Sequence, residues 1–220
     1  ANLIPANGVF NAPDYTRTCN CGYQNQTSLA LIHMPDVDVW SFQNMSWDGS
    51  PAQRVGINFG APGDRLSPEG TYWLDHPSKG GPSPNIPVQI SGGRYFRKHT
   101  SVLEGELPWV CASGVEGAQT LTITASKHAA EAQTYTVRIY AAEENGLEPG
   151  QRIFGIDLNG VNVLSDFDIA RESGGAGKGI VKTFTGIAIE KDLKVDLKPA
   201  EGSPRPPLIC GIELIREASE

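Results

Sequence analysis

The sequence contains no long hydrophobic run and no excess of positive charge. Nowhere in its 220 residues does a stretch approach the roughly 20 apolar residues that a membrane-spanning helix requires. The formal net charge is −7 and the pI is about 5.1. Because Lys and Arg contacts with phosphates supply most of the affinity for nucleic acids, this balance predicts no nucleic-acid partner. The missing apolar run predicts no membrane insertion.

Cysteine is also scarce. The four residues are Cys19, Cys21, Cys111 and Cys210. The Cys-x-Cys pair is too small a ligand set for zinc and no haem-attachment motif occurs, so we predict no cofactor and no metal. An even count permits two disulfides, and export to an oxidising compartment would favour at least one, but the sequence does not determine their pairing.

Motifs of known catalytic mechanisms are missing as well. No Gly-x-Ser-x-Gly nucleophile elbow occurs, and the four His residues are scattered without the spacing of metal ligands. Glycoside hydrolysis needs only two suitably spaced carboxylates, which the sequence neither identifies nor excludes. A glycan-active hydrolase or lyase is therefore the third functional alternative, behind two non-catalytic binding roles.

Glycine and proline, in contrast, are abundant. The 25 Gly and 16 Pro residues separate short segments that are rich in apolar side chains. Residues 121–125 and 135–140 alternate between apolar and polar side chains, which is typical of strands with one buried face. Similar segments recur along the chain and no helical period is sustained. The pattern predicts an all-β fold, an antiparallel two-sheet β-sandwich of the jelly-roll kind.

The first 53 residues differ in composition from the rest of the chain. We predict that residues 1–53 form an N-terminal arm or the remnant of a preceding domain, packing on a sandwich that comprises residues 54–220. Trp40, Phe42 and Trp47 are expected to cover an open face of the sandwich. Residues 61–87 hold many Pro and Gly and are predicted to form a long loop.

A hairpin is predicted around Asn159-Gly160, because this dipeptide between two apolar-alternating runs favours a tight turn. Asp166 and Asp168 follow shortly afterwards. If the segment is extended, both carboxylates lie on the same face, which would suit a metal or a general acid. The favoured interpretation is that these short side chains stabilise a tight loop through hydrogen bonds with its backbone.

Several of these segments together resemble the malectin-like domain family. The elements are an aromatic-Ala-Glu sequence at 140–143, the hairpin at 153–160, the Asp-Phe-Asp-Ile segment at 166–169 and a closing strand at 209–214. The resemblance implies a β-sandwich and a carbohydrate-binding role. The family's diglucose site does not transfer, because Glu144-Asn145-Gly146 replaces its aromatic pair and residues 202–206 lack its late Asp.

A second resemblance covers a shorter region. Residues 15–21 and 23–31, with Gly60–Arg65, resemble the region after the β-propeller in large bacterial exported proteins with pyrroloquinoline-quinone-type repeats. This resemblance implies a C-terminal module of a multidomain chain, with an extracytoplasmic location and other domains of the same chain as partners.

Sugar sites usually combine an aromatic face with polar groups that pair with hydroxyls. The residues that meet this description and are predicted to bind a ligand are Tyr72, Trp73, Asp75, Tyr95, Phe96 and Arg97. The alternative is that these rings cover the edges and core of the sandwich. The favoured function is a non-catalytic carbohydrate-binding module that binds a glycan through loop aromatics. The second is a structural or protein-interaction module that packs on a β-propeller and binds no sugar.

Overall fold

The computed structural model describes residues 4–6, 9–12, 29–32, 38–42, 46–78, 84, 86–143 and 146–218. The chain divides into two compact units, Ala1–Asp38 and Val39–Glu220. The smaller unit holds an antiparallel three-stranded sheet of β1 (Ile4–Ala6), β2 (Val9–Ala12) and β3 (Leu29–Ile32). The predicted boundary at residue 53, and the predicted packing of residues 1–53 on the sandwich, stay predictions.

Two six-stranded sheets make up the larger unit and confirm the predicted β-sandwich. Sheet I has the strand order β12-β9-β15-β4-β6-β5. Its strands are β4 (Arg54–Phe59), β5 (Arg65–Leu66), β6 (Tyr72–His76), β9 (Gln133–Ala142), β12 (Gly179–Ile189) and β15 (Gly211–Arg216). Most neighbours are antiparallel, whereas β4 and β6 run parallel.

Sheet II has the order β11-β10-β13-β8-β14, with β7 also paired to β8. Its strands are β7 (Val88–Arg97), β8 (Ser113–Thr124), β10 (Ile153–Leu158), β11 (Val161–Asp168), β13 (Asp192–Pro199) and β14 (Leu208–Ile209). A 3₁₀ turn at Thr100–Val102 and two short helices, α1 (Pro108–Cys111) and α2 (Ile169–Ser173), lie between strands. None of the helices in the described residues is long and apolar enough to cross a membrane.

Both sheets contribute to one continuous hydrophobic core. Ile57 and Ile212 of sheet I, and Leu121 and Val195 of sheet II, are at most 1% exposed. In sheet II these residues alternate with more exposed ones, as in a half-buried sheet, whereas the alternate residues of β4 and β15 in sheet I are buried as well. Burying such a side chain stabilises the fold by about 1.5–3 kcal/mol, so this burial is the main determinant of the architecture.

The predicted Asn-Gly hairpin is confirmed. Asn159 and Gly160 both have positive φ, 48° and 81°, and they join the antiparallel strands β10 and β11. The two left-handed residues match a type I′ turn, whose twist suits a hairpin. The Asn159 side chain also accepts a hydrogen bond from the Lys194 backbone N–H at 2.8 Å, which joins the turn to β13.

The predicted long loop at 61–87 is wrong in its central part. Residues 65–66 and 72–76 are strands β5 and β6, and β6 adds to sheet I beside β4. The Pro and Gly residues bound these strands rather than marking one continuous loop. The error follows from the parallel pairing, because a partner that is distant in sequence leaves no turn signal. Residues 79–83 and 85 lie outside the described part of the chain.

Candidate functional site

Strand β6 divides the predicted ligand residues between its two faces. Successive side chains of a strand point to opposite sides, so Tyr72 and Leu74 share one face while Trp73 and Asp75 share the other. Trp73 and Asp75 are 1% and 5% exposed, and Tyr72 is half-buried. The predicted Tyr72-Trp73 pair therefore does not act as one aromatic platform.

Trp73 belongs to a stack of buried rings. It meets Tyr140 and Trp109 edge to face, with centroids 5.1 and 5.8 Å away. Trp40 extends the stack from Trp109, at 5.8 Å. Below the ring lies Gly56, where a Cβ would overlap the indole. A ring enclosed in this way has no face left for a sugar, so the ligand contact predicted at Trp73 does not fit this fold.

Asp75 is also buried within the fold. Its backbone N–H donates to Asp64 Oδ1 at 3.1 Å, and Asp64 is itself fully buried. The carboxylate of Asp75 is therefore too deeply buried to contact a ligand at the surface. The polar role that was predicted for Asp75 therefore does not fit the structure either.

The remaining predicted residues lie at the opposite end of β6 from Tyr72. Tyr95 is half-buried, and its ring meets His76, the last residue of β6, at 6.1 Å. Phe96 packs over Gly114, where a Cβ would come within 2.7 Å of the ring. Arg97 is exposed. The six predicted residues therefore do not converge on one site.

A cavity of about 240 Å³ opens beside the first residues of β4 and β6. We call it the Trp47–Tyr72 pocket, after the two aromatic residues in its wall. Its lining residues are Ser46, Trp47, Ala52, Gln53, Arg54, Val55, Tyr72, Leu74, Pro84 and Ile86. Of the residues predicted to bind a ligand, Tyr72 is the one that lines it.

Hydrogen bonds hold both aromatic walls of the pocket in place. Trp47 is half-buried, and its Nε1–H donates to the Ser50 carbonyl at 2.9 Å. The ammonium of Lys127 lies 5.1 Å from the Trp47 ring centroid, which is a cation–π contact. The Tyr72 hydroxyl donates to Asp64 Oδ2 at 3.4 Å. Burial, followed by the Asp64 carboxylate, raises the pKa of Tyr72 to about 12, so the hydroxyl stays protonated.

Arg54 forms a polar part of the wall, and its donors are engaged within the protein. Its Nη2 and Nε lie 3.0 and 3.1 Å from Glu213 Oε1, and Nε also donates to the Thr71 hydroxyl. Its Nη1 donates to the Glu69 carbonyl at 2.9 Å. The guanidinium therefore has a fixed position between the pocket and the buried Glu213.

Glu213 is the centre of a polar network on sheet I. Its side chain is 1% exposed and also accepts from Arg138 Nη1 at 3.3 Å and from the Tyr140 hydroxyl at 3.0 Å. Burial, together with the charge of Glu213, raises the pKa of Tyr140 far above its usual range. Two arginines thus neutralise one buried carboxylate next to the pocket.

At the other end of the sandwich lies the aromatic-Ala-Glu element. Glu143 pairs with Arg152 Nε at 3.0 Å, and both side chains are 1% exposed. Arg152 also reaches Glu116 Oε1 at 2.9 Å and the Pro206 carbonyl. Glu144 and Asn145, where the family aromatics were expected and are replaced, lie outside the described residues.

The structural role that was favoured for Asp168 is confirmed. Its Oδ1 accepts from the Arg171 backbone N–H at 3.1 Å and caps α2, while its Oδ2 accepts from the Gly150 N–H at 2.7 Å. Asp166 is exposed, with a φ of 52°. Within the described residues, no group of three or more His, Cys, Asp or Glu side chains is placed to hold a metal ion.

Sequence reasoning assigned Trp47 to a covering role and did not identify the pocket. The residues that line it come from a turn at 46–47, the first halves of β4 and β6, and the segment before β7. The one local sequence feature that could have indicated the pocket is the Ser-Trp-Asp-Gly turn at residues 46–49. There the Asp48 carboxylate accepts from the Ser50 N–H at 2.8 Å, which fixes an aromatic residue at the surface.

Residues 119–201 match the family model of the malectin domain. No curated protein sequence matches the chain. In fold, the chain is similar to a calcium-binding mutant of Bacteroides uniformis beta-glucuronidase 2. The TM-score is 0.59 with 16% identity, over 96% of this chain and 22% of that chain. The chain thus spans only a small part of the length of that glucuronidase.

Two plant structures share the fold as well. The ANX2 ectodomain from Arabidopsis thaliana has a TM-score of 0.56 and 16% identity, over 75% of this chain and 50% of that chain. A structure of the plant peptide RALF23 in complex with FER and LLG2 has a TM-score of 0.57 and 17% identity, over 88% of this chain and 58% of that chain. At these identities the likeness is one of fold.

Proposed function

We propose that this chain, in which residues 119–201 match the malectin family model, is a non-catalytic carbohydrate-binding module whose glycan site is the Trp47–Tyr72 pocket. The observation that carries the proposal is the combination of two fixed aromatic walls with exposed polar side chains, Ser46 and Gln53, at one cavity. Aromatic faces meet the C–H groups of a sugar ring, and amides or hydroxyls pair with its hydroxyls.

The size of the pocket limits what it binds. Its volume of about 240 Å³ is below the roughly 300–1,000 Å³ of sites for drug-sized ligands. One sugar residue therefore enters the pocket, and the rest of the glycan stays outside. Since a single residue makes few contacts, we expect affinities for monosaccharides in the millimolar to high micromolar range.

The lining residues also favour binding over catalysis. Glycoside hydrolysis typically uses two carboxylates about 5–9.5 Å apart on either side of the bond that is cleaved. The described residues that line the Trp47–Tyr72 pocket include no Asp or Glu. The Glu213 carboxylate behind Arg54 is contacted by two arginines, a threonine and a tyrosine, and its side chain is 1% exposed, so the fold covers it.

The location of the protein is part of the proposal. One of the similar structures is a plant ectodomain, and the sequence resembles the C-terminal region of bacterial exported propeller proteins. We place the module outside the cytoplasm, attached to other domains of a bacterial chain. A glycan on a cell surface or in the surroundings would then be accessible to it.

A glycan array followed by calorimetry on the hits tests the proposal. Trp47→Ala and Tyr72→Ala should each weaken binding at least about tenfold, because each removes a ring that contacts the sugar. Phe42→Ala is the matched control, since this aromatic side chain is 49% exposed and does not line the pocket. No binding at millimolar concentrations across plant, algal and bacterial glycans would overturn the lectin function.

The second candidate is a protein-interaction module without a sugar ligand. One similar structure is a complex with a peptide, and the enclosure of Trp73 removes one of the expected sugar contacts. Binding of a neighbouring domain of the parent chain, with unchanged affinity in Trp47→Ala and Tyr72→Ala, would favour this candidate. Release of sugar products from any bound glycan would instead favour the third, a hydrolase or lyase.

A further inference from the structure

The polar atoms in the wall of the Trp47–Tyr72 pocket are mostly engaged by the protein. Trp47 Nε1 donates to Ser50, the Tyr72 hydroxyl donates to Asp64, and the Arg54 guanidinium is held by Glu213, Thr71 and Glu69. The exposed side chains of Ser46 and Gln53 lie among the lining residues as further polar groups. Ser46 and Gln53 are therefore the exposed polar side chains in the lining that can pair with a ligand.

The remaining lining residues are aliphatic. Val55 and Leu74 are 5% and 4% exposed, so they form the deep part of the cavity. The other members of this apolar lining are Ala52, Pro84 and Ile86. A ligand group that enters this part of the pocket therefore contacts the aliphatic side chains of these residues.

This lining distinguishes between kinds of sugar. An ordinary hexose carries a hydroxyl or hydroxymethyl group at nearly every ring position, and a hydroxyl that is buried without a partner loses its hydrogen bonds to water. A methyl group at the same position gains from leaving water instead. A sugar with one apolar edge therefore fits this pocket better than a fully hydroxylated one.

The charges around the pocket point to a neutral ligand. A carboxylate on a uronic acid is bound most strongly by a cation whose charge is not yet paired, whereas the pocket's arginine already pairs with a buried carboxylate. Lys127 lies over the Trp47 ring rather than among the lining residues. Among the described lining residues, Arg54 is the one cation, and its charge is already paired.

We propose that the Trp47–Tyr72 pocket selects a neutral sugar residue that inserts a methyl group, as a 6-deoxyhexose does. The proposal rests on the proposed glycan-binding function and specifies its ligand class. The methyl contacts the aliphatic lining, the ring lies against Trp47 and Tyr72, and hydroxyls on the opposite edge pair with Ser46 and Gln53. A sugar with an O-methyl group shares this chemistry, and the experiment separates the two sources.

Matched pairs of methyl glycosides test the selection, with titration calorimetry and saturation-transfer NMR on the full chain. D-fucoside against D-galactoside, and D-rhamnoside against D-mannoside, differ only in the 6-hydroxyl. At least one deoxy sugar should bind about tenfold or more tightly than its partner, as expected for one unpaired hydroxyl in an apolar pocket. Its C6 methyl protons should show the strongest saturation transfer, stronger than those of the O-methyl aglycone that every probe carries. A 6-O-methyl galactoside that outperforms the D-fucoside would assign the pocket to O-methylated sugars and overturn the deoxyhexose form.

A pair of variants places the methyl group in the pocket. Ile86→Thr adds a hydroxyl to the lining. Ile86→Val introduces a side chain of nearly the same shape as Thr but without the hydroxyl. The preference for the deoxy sugar should fall severalfold in Ile86→Thr and persist in Ile86→Val. Ile86 is half-buried outside any strand, so both variants should fold, which circular dichroism checks. Equal preferences in the two variants would contradict the proposal.

The failure of this inference can be told apart from the failure of the glycan function. If hexose and deoxyhexose bind equally and both depend on Tyr72, the pocket binds glycans and the methyl selection is wrong. If no sugar binds at millimolar concentration, the glycan function itself is wrong, and the selection with it.

Discussion

At the scale of single residues, His76 links the stability of the fold to pH. Its ring lies between Phe59 and Tyr95, with centroids at 6.2 and 6.1 Å. Burial in these surroundings lowers the pKa of His76. The unfolded chain, in which the histidine pKa is about 6.5, therefore takes up a proton more readily than the folded chain. The neutral His76 ring stabilises the fold fully above the pKa of the unfolded chain. This stabilisation is lost as the pH falls from that value through the lower pKa of the folded chain.

We predict that replacing His76 flattens this dependence. The melting temperature of the parent chain should fall between pH 7 and pH 5, and it should fall less in His76→Gln. His99→Gln is the comparison variant, because it removes an exposed histidine whose ring accepts from the Ser101 backbone N–H instead of lying among buried rings. Thermal unfolding at half-unit pH steps provides the measurement. An identical slope in the parent and in His76→Gln would show that other groups determine the pH dependence.

Glu213 gives a second prediction at this scale. Replacing it with Ala leaves Arg54 and Arg138 without their buried partner, and losing one member of such a group costs about 3–5 kcal/mol. Glu106→Ala also removes a carboxylate from Arg138, but its side chain is 51% exposed, so about 1 kcal/mol or less is expected. Urea denaturation of both variants compares the two losses. If both variants lose a similar free energy of unfolding, the burial of Glu213 does not determine the size of the loss.

At the scale of elements, the packing of β4 against Trp73 depends on the absence of a side chain. A Cβ at Gly56 would overlap the indole of Trp73, which is itself held between Trp109 and Tyr140. Strand β4 therefore lies directly under the aromatic stack. This contact, rather than a sugar, explains a tryptophan at the centre of β6.

Gly56→Ala should destabilise the protein by about 2–3 kcal/mol or more, since overpacking a rigid core forces side chains or backbone to shift. Gly155→Ala makes the same change within β10, where the nearest atom to a new Cβ is 3.3 Å away. Its expected effect is within about 1 kcal/mol, because Ala suits a strand as well as Gly does. Denaturation midpoints distinguish the two. A neutral Gly56→Ala would show that Trp73 can move away.

The elements also show which parts of the fold the sequence determines locally. The hairpin at Asn159-Gly160 and the cap at Asp168 depend on residues that are adjacent in the chain, and both were predictable. Strand β6 pairs with β4 in parallel, and the Trp47–Tyr72 pocket joins segments that are distant in sequence. Such arrangements depend on tertiary packing, so composition suggested a loop at 61–87 and did not reveal that Trp73 is buried.

At the scale of the whole molecule, the larger unit carries its own core. The buried hydrophobic cluster comprises residues between Val55 and Leu214. Residues 39–53 add contacts within the same unit. Trp40 packs on Trp109, the Ser41 N–H donates to the Asp64 carbonyl at 2.9 Å, and the Ala52 N–H donates to the Ala125 carbonyl at 2.9 Å. Trp47 forms one wall of the pocket.

Two truncated chains test how far the unit extends. Residues 39–220 should unfold cooperatively, with a melting temperature within a few degrees of the full chain, and should retain any glycan binding. Residues 54–220 should melt several degrees lower, because Trp109 loses its partner ring and five backbone hydrogen bonds to residues 41–53 are lost. They should also lose binding, since Trp47 is removed. Equal stability of the two truncated chains would support a boundary near residue 53, and an unfolded 39–220 chain would mean that residues 1–38 are needed for folding.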